Sequence, residues 1–154
     1  MNNVGFLRTS DNFNDIQINS NTLEKENYIE NLIVKAVIGC AISVHKEIGA
    51  GATNNTYLEC LCYELSEKGI EFERDIFIPV FYKNLVVPTG YCVDLLVEGR
   101  VIVDLKTVDQ IQPEFIIHML NKLTGLKKKL GVIINFNSKF IKGDAIKRII
   151  NSHV

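Results

Sequence analysis

The chain has 154 residues, 47% of them hydrophobic, with a net charge of −1 and four cysteines. That is enough apolar material for one core and too little chain for two comfortable domains, and near-neutrality argues against a protein that coats nucleic acid without discrimination. The most apolar stretches are interrupted by Lys35, His45, Asp94 and Asp104, so no membrane span is expected, and the first residues, MNNVGFLRTSDNF, lack the basic region and apolar block of a secretory signal. The expected setting is cytoplasmic, with no membrane partner.

Residues 1–24 are rich in Asn, Ser, Thr and Asp without sustained period, and read as a weakly ordered arm before a single domain over 25–154. From about Glu26, Ile29, Leu32, Ile33, Ala36, Val37, Cys40, Ala41, Val44 and Ile48 recur at helical spacing, and Gly49-Ala50-Gly51 supplies a sharp turn. Thr56-x-x-Glu59 reads as a capping box opening a second helix, with Tyr57, Leu58, Leu61, Cys62 and Leu65 on its apolar face and Gly69 at its end.

Strand signals follow. Ile76, Ile78, Val80 and Tyr82 alternate, Pro79 marks an edge or bulge, and a Lys83-Asn84 turn leads into Val86 and Val87. Tyr91–Val97, Glu98-Gly99-Arg100 and Val101–Lys106 form a hairpin pattern of two apolar runs around a glycine turn. Pro113 fits the first turn of a third helix carrying Ile116, Ile117, Leu120 and Leu123, which Gly125 ends; Gly131–Phe136 reads as a buried strand and Ile146–Ile150 as a short strand or helical turn. The order α-α-β-β-β-β-α-β with a short last element predicts an α/β fold with a mixed sheet flanked by helices.

Cys40, Cys60, Cys62 and Cys92 lie in apolar periodic segments without the paired spacing of a zinc site, and are read as free thiols. On a helix the Cys60 and Cys62 side chains stand about 200° apart and cannot readily share a metal.

The hairpin carries the chemistry. With a three-residue turn Val97 pairs with Val101, and counting outward brings Asp94 opposite Asp104, their Cβ atoms about 4.5–5.5 Å apart and able to share one divalent cation. Lys106, two residues beyond Asp104, projects from the same face. A two-residue turn would pair Asp94 with Val103 and send the two acids to opposite faces. Charges inside such apolar strands must be compensated, by a metal and a lysine, by a plain Asp–Lys ion pair, or by exposure at a strand end.

These residues resemble the GxxExxY family, a branch of the PD-(D/E)XK nuclease-like superfamily, from about Tyr28 to Asn151. The likeness rests on Ser43-Val44-His45 with Gly49 and Gly51, Tyr57 and Leu61, Pro79-Val80, Tyr91 with Asp94–Glu98, and Val101–Lys106. It continues through Leu123–Leu126, Ile134-Asn135-Phe136 and Ile146–Ile149. It implies a restriction-endonuclease-like core with an antiparallel meander, Asp94 and Asp104 as metal ligands and Lys106 as the catalytic lysine. The expected cofactor is Mg2+ or Mn2+ on Asp94, Asp104 and the Leu105 carbonyl, and the expected activity is hydrolysis of DNA or RNA phosphodiesters.

Three positions depart from the family pattern. Counted from Gly51, the family glutamate falls on Asn54; the later helix's glutamine falls on His118, and an arginine before the first aspartate is Cys92. Asn54 offers oxygen without charge, leaving Glu47 or Glu59 as substitutes, and His118 is a candidate for metal or phosphate. Tyr57 and Tyr91 are expected to support the site with hydroxyls at the rim, and His45 to bond loop backbone.

Charge is unevenly spread: 1–75 hold twelve acids and six bases, whereas 76–154 hold six acids and eleven bases. Lys127, Lys128, Lys129, Lys139, Lys142, Lys147 and Arg148 are the expected contacts to a nucleic-acid backbone, with no sign of base-specific readout. The alternative is a nuclease-like fold that binds nucleic acid or protein without turnover.

Overall fold

The computed structural model describes residues 22–153. The expected N-terminal arm lies outside them except for its last three residues, which open the first helix, α1 (Thr22–Ile48). Ile33, Val34, Val37, Cys40, Ala41 and Val44 form its buried stripe. Contrary to the expectation from sequence, Asn27–Ile48 has the length and apolar composition of a membrane-crossing helix. Its apolar stripe is spent on the protein core, where it packs against the second helix and the sheet.

That second helix, α2 (Asn54–Glu67), begins earlier than the Thr56–Glu59 pattern predicts. Thr53 is the cap, its hydroxyl accepting the Thr56 N–H at 3.2 Å, which leaves Glu59 free to pair with Arg74 at 2.8 Å. The helix closes as expected at Gly69, whose φ of 71° allows the Ile70 N–H to reach back to the Leu65 carbonyl.

The sheet has the order β1-β2-β3-β4-β5. Strands β1 (Phe72–Tyr82), β2 (Leu85–Val97) and β3 (Val101–Lys106) form an antiparallel meander. Helix α3 (Pro113–Leu126) then crosses over to β4 (Leu130–Asn135), parallel to β3, and β5 (Ile146–Ile150) returns antiparallel after a short 3-10 turn. Among the described residues three strands rather than four precede α3, because Val86-Val87 and Tyr91–Val97 belong to the one long strand β2. Pro79 sits where the edge strand β1 slips register between Ile78 and Val80, the bulge its missing N–H predicts. The final element resolves as a strand.

Helices α1 and α2 cover one face of the sheet and α3 the other, each over its own apolar cluster. Helix α3 ends not at Gly125 but two residues on, at Lys127 in the left-handed region. Gly125 is instead a contact point: a Cβ there would stand 2.8 Å from Ile78 Cγ2.

Tyr57 is fully buried rather than at a rim. Its ring stacks on Phe136 with centroids 4.6 Å apart, while its hydroxyl donates to the Gly49 carbonyl and accepts the Ala52 N–H at 3.1 Å. The side chain thereby pins the turn between α1 and α2 that carries Asn54 to the sheet. Tyr57→Phe is expected to cost about 1–3 kcal/mol by leaving both backbone groups unpaired. Thermal unfolding checks it, with a Tm several degrees lower expected.

Candidate active site between the second and third strands

The turn joining β2 to β3 has three residues, Glu98-Gly99-Arg100, with Glu98 and Gly99 at φ 53° and 66°. The buried Glu98 carboxylate accepts the Glu71 N–H at 2.7 Å and ties the turn to the chain entering β1. Val97 pairs with Val101, Leu96 with Ile102 and Leu95 with Val103. The register is therefore the one that brings Asp94 and Asp104 to adjoining positions.

The backbone ladder stops there. Asp104 Oδ1 accepts the Asp94 N–H at 3.1 Å, and Asp94 Oδ2 accepts the Leu105 N–H at 2.8 Å. The carboxylates thus occupy the fork where the strands part, each bonded to the opposite backbone, instead of standing side by side on a regular ladder.

The fork coincides with an irregularity that parity exposes. Phe72 packs in the cluster under α1 and α2, whereas Ile76 and Ile78 pack in the cluster under α3, although even spacing should keep them on one face. Opposite them, Leu95 belongs to the first cluster and Val93 to the second. Both strands turn over at Asp75, whose φ is 54°, and at Asp94. Asp94 leaves the regular pleat at that turnover.

Asp104 is 4% exposed, and its Oδ2 lies 2.6 Å from the ammonium of Lys122 on α3. The lysine in direct contact is therefore not Lys106. The Lys106 ammonium rests 4.4 Å from the Phe115 ring centroid, on the α3 side as its spacing from Asp104 predicts, and its field still reaches Asp94.

Asn54 joins the cluster and His118 stands apart. The Asn54 amide donates to the Leu105 carbonyl at 3.2 Å. Since a strand residue's N–H and C=O point the same way, that carbonyl faces the fork that receives the Leu105 N–H. His118 is exposed one turn before Lys122, and no hydrogen bond or ion pair engages it among the described residues. Glu59 is taken by Arg74, and among the described residues no third acid, Glu47 included, completes a metal-binding group with the pair. His45 bonds the Ser138 carbonyl at 2.8 Å, a loop-backbone role, and all four cysteines are free.

Asn135 is an organiser the sequence did not flag. Fully buried at the end of β4, beside Lys106 in register, it accepts the Val108 and Asn137 N–H groups and donates to the Val108 carbonyl. It thereby shapes a cavity of about 280 Å3 at the carboxyl ends of β3 and β4.

Burial pushes the Asp94 carboxyl up from its ordinary value, and the charge of Asp104 adds to this; the Leu105 N–H, Lys122 and Lys106 oppose it without prevailing. A raised folded value means that protonated Asp94 favours the fold below the ordinary carboxylate range, and that this contribution is lost as pH rises through the raised value. Above that value the ionised group carries a cost that the protonated one does not. Asp94→Asn keeps an acceptor for the Leu105 N–H and is expected to melt above wild type at pH 7 in EDTA, the gap narrowing toward pH 4. A lower Tm at pH 7 would remove this account of the fork.

The family model of the PD-(D/E)XK nuclease superfamily matches residues 31–149. The chain belongs to the PD-(D/E)XK nuclease superfamily. Neither the curated proteins nor the solved structures gave a match. The matched range runs from α1 into β5 and contains the fork, Asn54 and α3. The five-stranded mixed sheet flanked by helices is accordingly restriction-endonuclease-like.

Members of this PD-(D/E)XK superfamily generally use divalent metals. The donors at the fork suit a hard cation: two carboxylates and a carbonyl, all oxygen, with Asp94 short of positive charge. Lys122 competes with such an ion, since its ammonium already neutralises Asp104.

Proposed function

We propose that the chain is a divalent-metal-dependent nuclease that hydrolyses phosphodiester bonds of DNA or RNA, and that it belongs to the GxxExxY branch of its superfamily. The carrying observation is the meeting of two acids at a strand fork, one 4% exposed and the other with its carboxyl pushed up by burial. Asp94, Asp104 and the Leu105 carbonyl would hold Mg2+ or Mn2+, and Asn54 supports the site by fixing that carbonyl. When bound, the ion would supply Lewis-acid polarisation of the phosphodiester and a coordinated water of lowered pKa.

The protein's own groups do the rest. Lys106 is the residue assigned to steady the charge that develops on the phosphate, and Phe115 holds its ammonium near the fork in the resting state. Tyr57 acts at a distance, by fixing the turn that presents Asn54. The basic residues of the second half, from Lys127 to Arg148, would contact the nucleic-acid backbone.

The rival reading is a nuclease-like fold that binds without turnover. The Lys122–Asp104 contact and the neutral Asn54 favour it, since both lower the negative charge offered to a cation. Purified protein with single- and double-stranded DNA and RNA separates the two. Cleavage in Mg2+ or Mn2+ that EDTA stops is expected; binding without cleavage supports the module.

A further inference from the structure

We infer that the β4–β5 loop is a docking site for single-stranded nucleic acid, in which a base stacks on Phe140 while Lys46, Lys139 and Lys142 take the flanking phosphates. This rests on the nuclease reading and assigns that site a single-stranded substrate.

Phe140 is 57% exposed, an apolar ring displayed on a loop that is otherwise tied down. Its neighbour Ile141 is buried, the Ser138 carbonyl accepts from His45, and the Ala145 N–H bonds the Lys142 carbonyl at 3.2 Å. The ring's exposure is therefore held by a fixed backbone. Two ammonium groups gather at it, Lys139 at 5.6 Å and Lys142 at 5.2 Å from the centroid. Lys46 joins them across a cavity of about 270 Å3 lined by Ile42, His45, Phe140 and Ile141. Among the described residues none of these three lysines makes an ion pair, and no acid lines the cavity.

An apolar face ringed by unneutralised cations complements a ligand that is flat and apolar at one point and anionic on either side. An unstacked nucleotide has that form, and base–aromatic stacking beside cationic contacts is the usual way single strands are held without sequence choice. A duplex keeps its bases stacked and cannot offer one. The loop follows β4 directly: the Phe136 N–H bonds the Lys106 carbonyl at 2.9 Å, so the chain that leads to Phe140 starts beside the strand end bearing Lys106. An anionic lipid surface would share the charge but has no use for a concave pocket.

Fluorescence anisotropy of a labelled oligothymidylate of about 12 nucleotides, measured in EDTA to prevent turnover, tests the inference. Phe140→Ala is expected to weaken binding about 5- to 100-fold, with duplex affinity changed less than about twofold and Phe140→Tyr close to wild type. An unchanged Tm shows that the variant is folded, as an exposed ring predicts. Unaltered oligonucleotide affinity, equal loss on duplex, or wild-type binding to phosphatidylserine vesicles and not to the oligonucleotide would overturn it. Cleavage is read separately: a cleaving wild type with an indifferent Phe140→Ala defeats only this inference, whereas Phe140-dependent binding without cleavage defeats only the nuclease reading.

Discussion

Asp104→Ala is expected to abolish cleavage and to cost about 3–5 kcal/mol of stability, the penalty for breaking a buried ion pair from one side. The size follows from what the carboxylate does. It neutralises Lys122 at 2.6 Å, where the two side chains are only 5% and 12% exposed, and it accepts the Asp94 N–H. Its loss leaves an ammonium and an amide without partners. For a chain of this length the Tm should fall by about 10 °C. Adding Lys122→Met removes the stranded charge, so the double variant should recover most of the stability while staying inactive. Circular dichroism melts and a cleavage gel read both outcomes. A single variant as stable as wild type would mean the pair carries no weight, and a single variant that still cuts would remove the fork from catalysis.

Lys122→Met alone should uncouple stability from metal in the opposite sense. With the ammonium gone, Asp104 is left as a buried unpaired carboxylate, and in EDTA the variant should melt well below wild type. The fork then carries two acids and one more distant lysine, a far better cation site. Two unit charges 4 Å apart interact by about 4 kcal/mol at an effective dielectric of 20, so removing a competing cation should tighten Mn2+ binding by at least about tenfold even if the wild-type lysine can swing aside. Mn2+ should accordingly raise the Tm of Lys122→Met more than that of wild type. Equal shifts would show that Lys122 does not compete with the ion.

The hairpin was legible because a glycine turn between two apolar runs allows few registers, and the observed Val97–Val101 pairing is the three-residue solution. Helix existence was legible from periodicity. Helix starts were not: Thr53 and Thr56 are both competent caps by residue type, and it is Thr53 that accepts the Thr56 N–H. Lys122 was not legible from the helical spacing of α3, which marks only its apolar members. A charged residue within the stripe Phe115, Met119, Leu123, on the side facing an acidic hairpin, was the available signal. The turnover at Asp75 and Asp94 had almost none, since no glycine or proline marks either residue and Asp75 takes its φ of 54° as a residue type only moderately enriched there. The edge role of β1 was visible in Pro79, whereas the continuity of β2 was hidden by Pro88 and Gly90, which break a strand pattern on paper. Pro88 lies on the exposed arm that pairs only with β1 and keeps an open side, and Gly90 admits Val80, whose Cγ2 would stand 2.2 Å from a Cβ there.

Calorimetric titration of the wild-type protein with Mn2+ tests the cation site most directly. Saturable binding is expected that weakens in Asp94→Asn and disappears in the Asp104→Ala/Lys122→Met double variant, which stays folded. Heats that never saturate, or binding indifferent to both changes, would contradict the assignment of the fork as a metal centre.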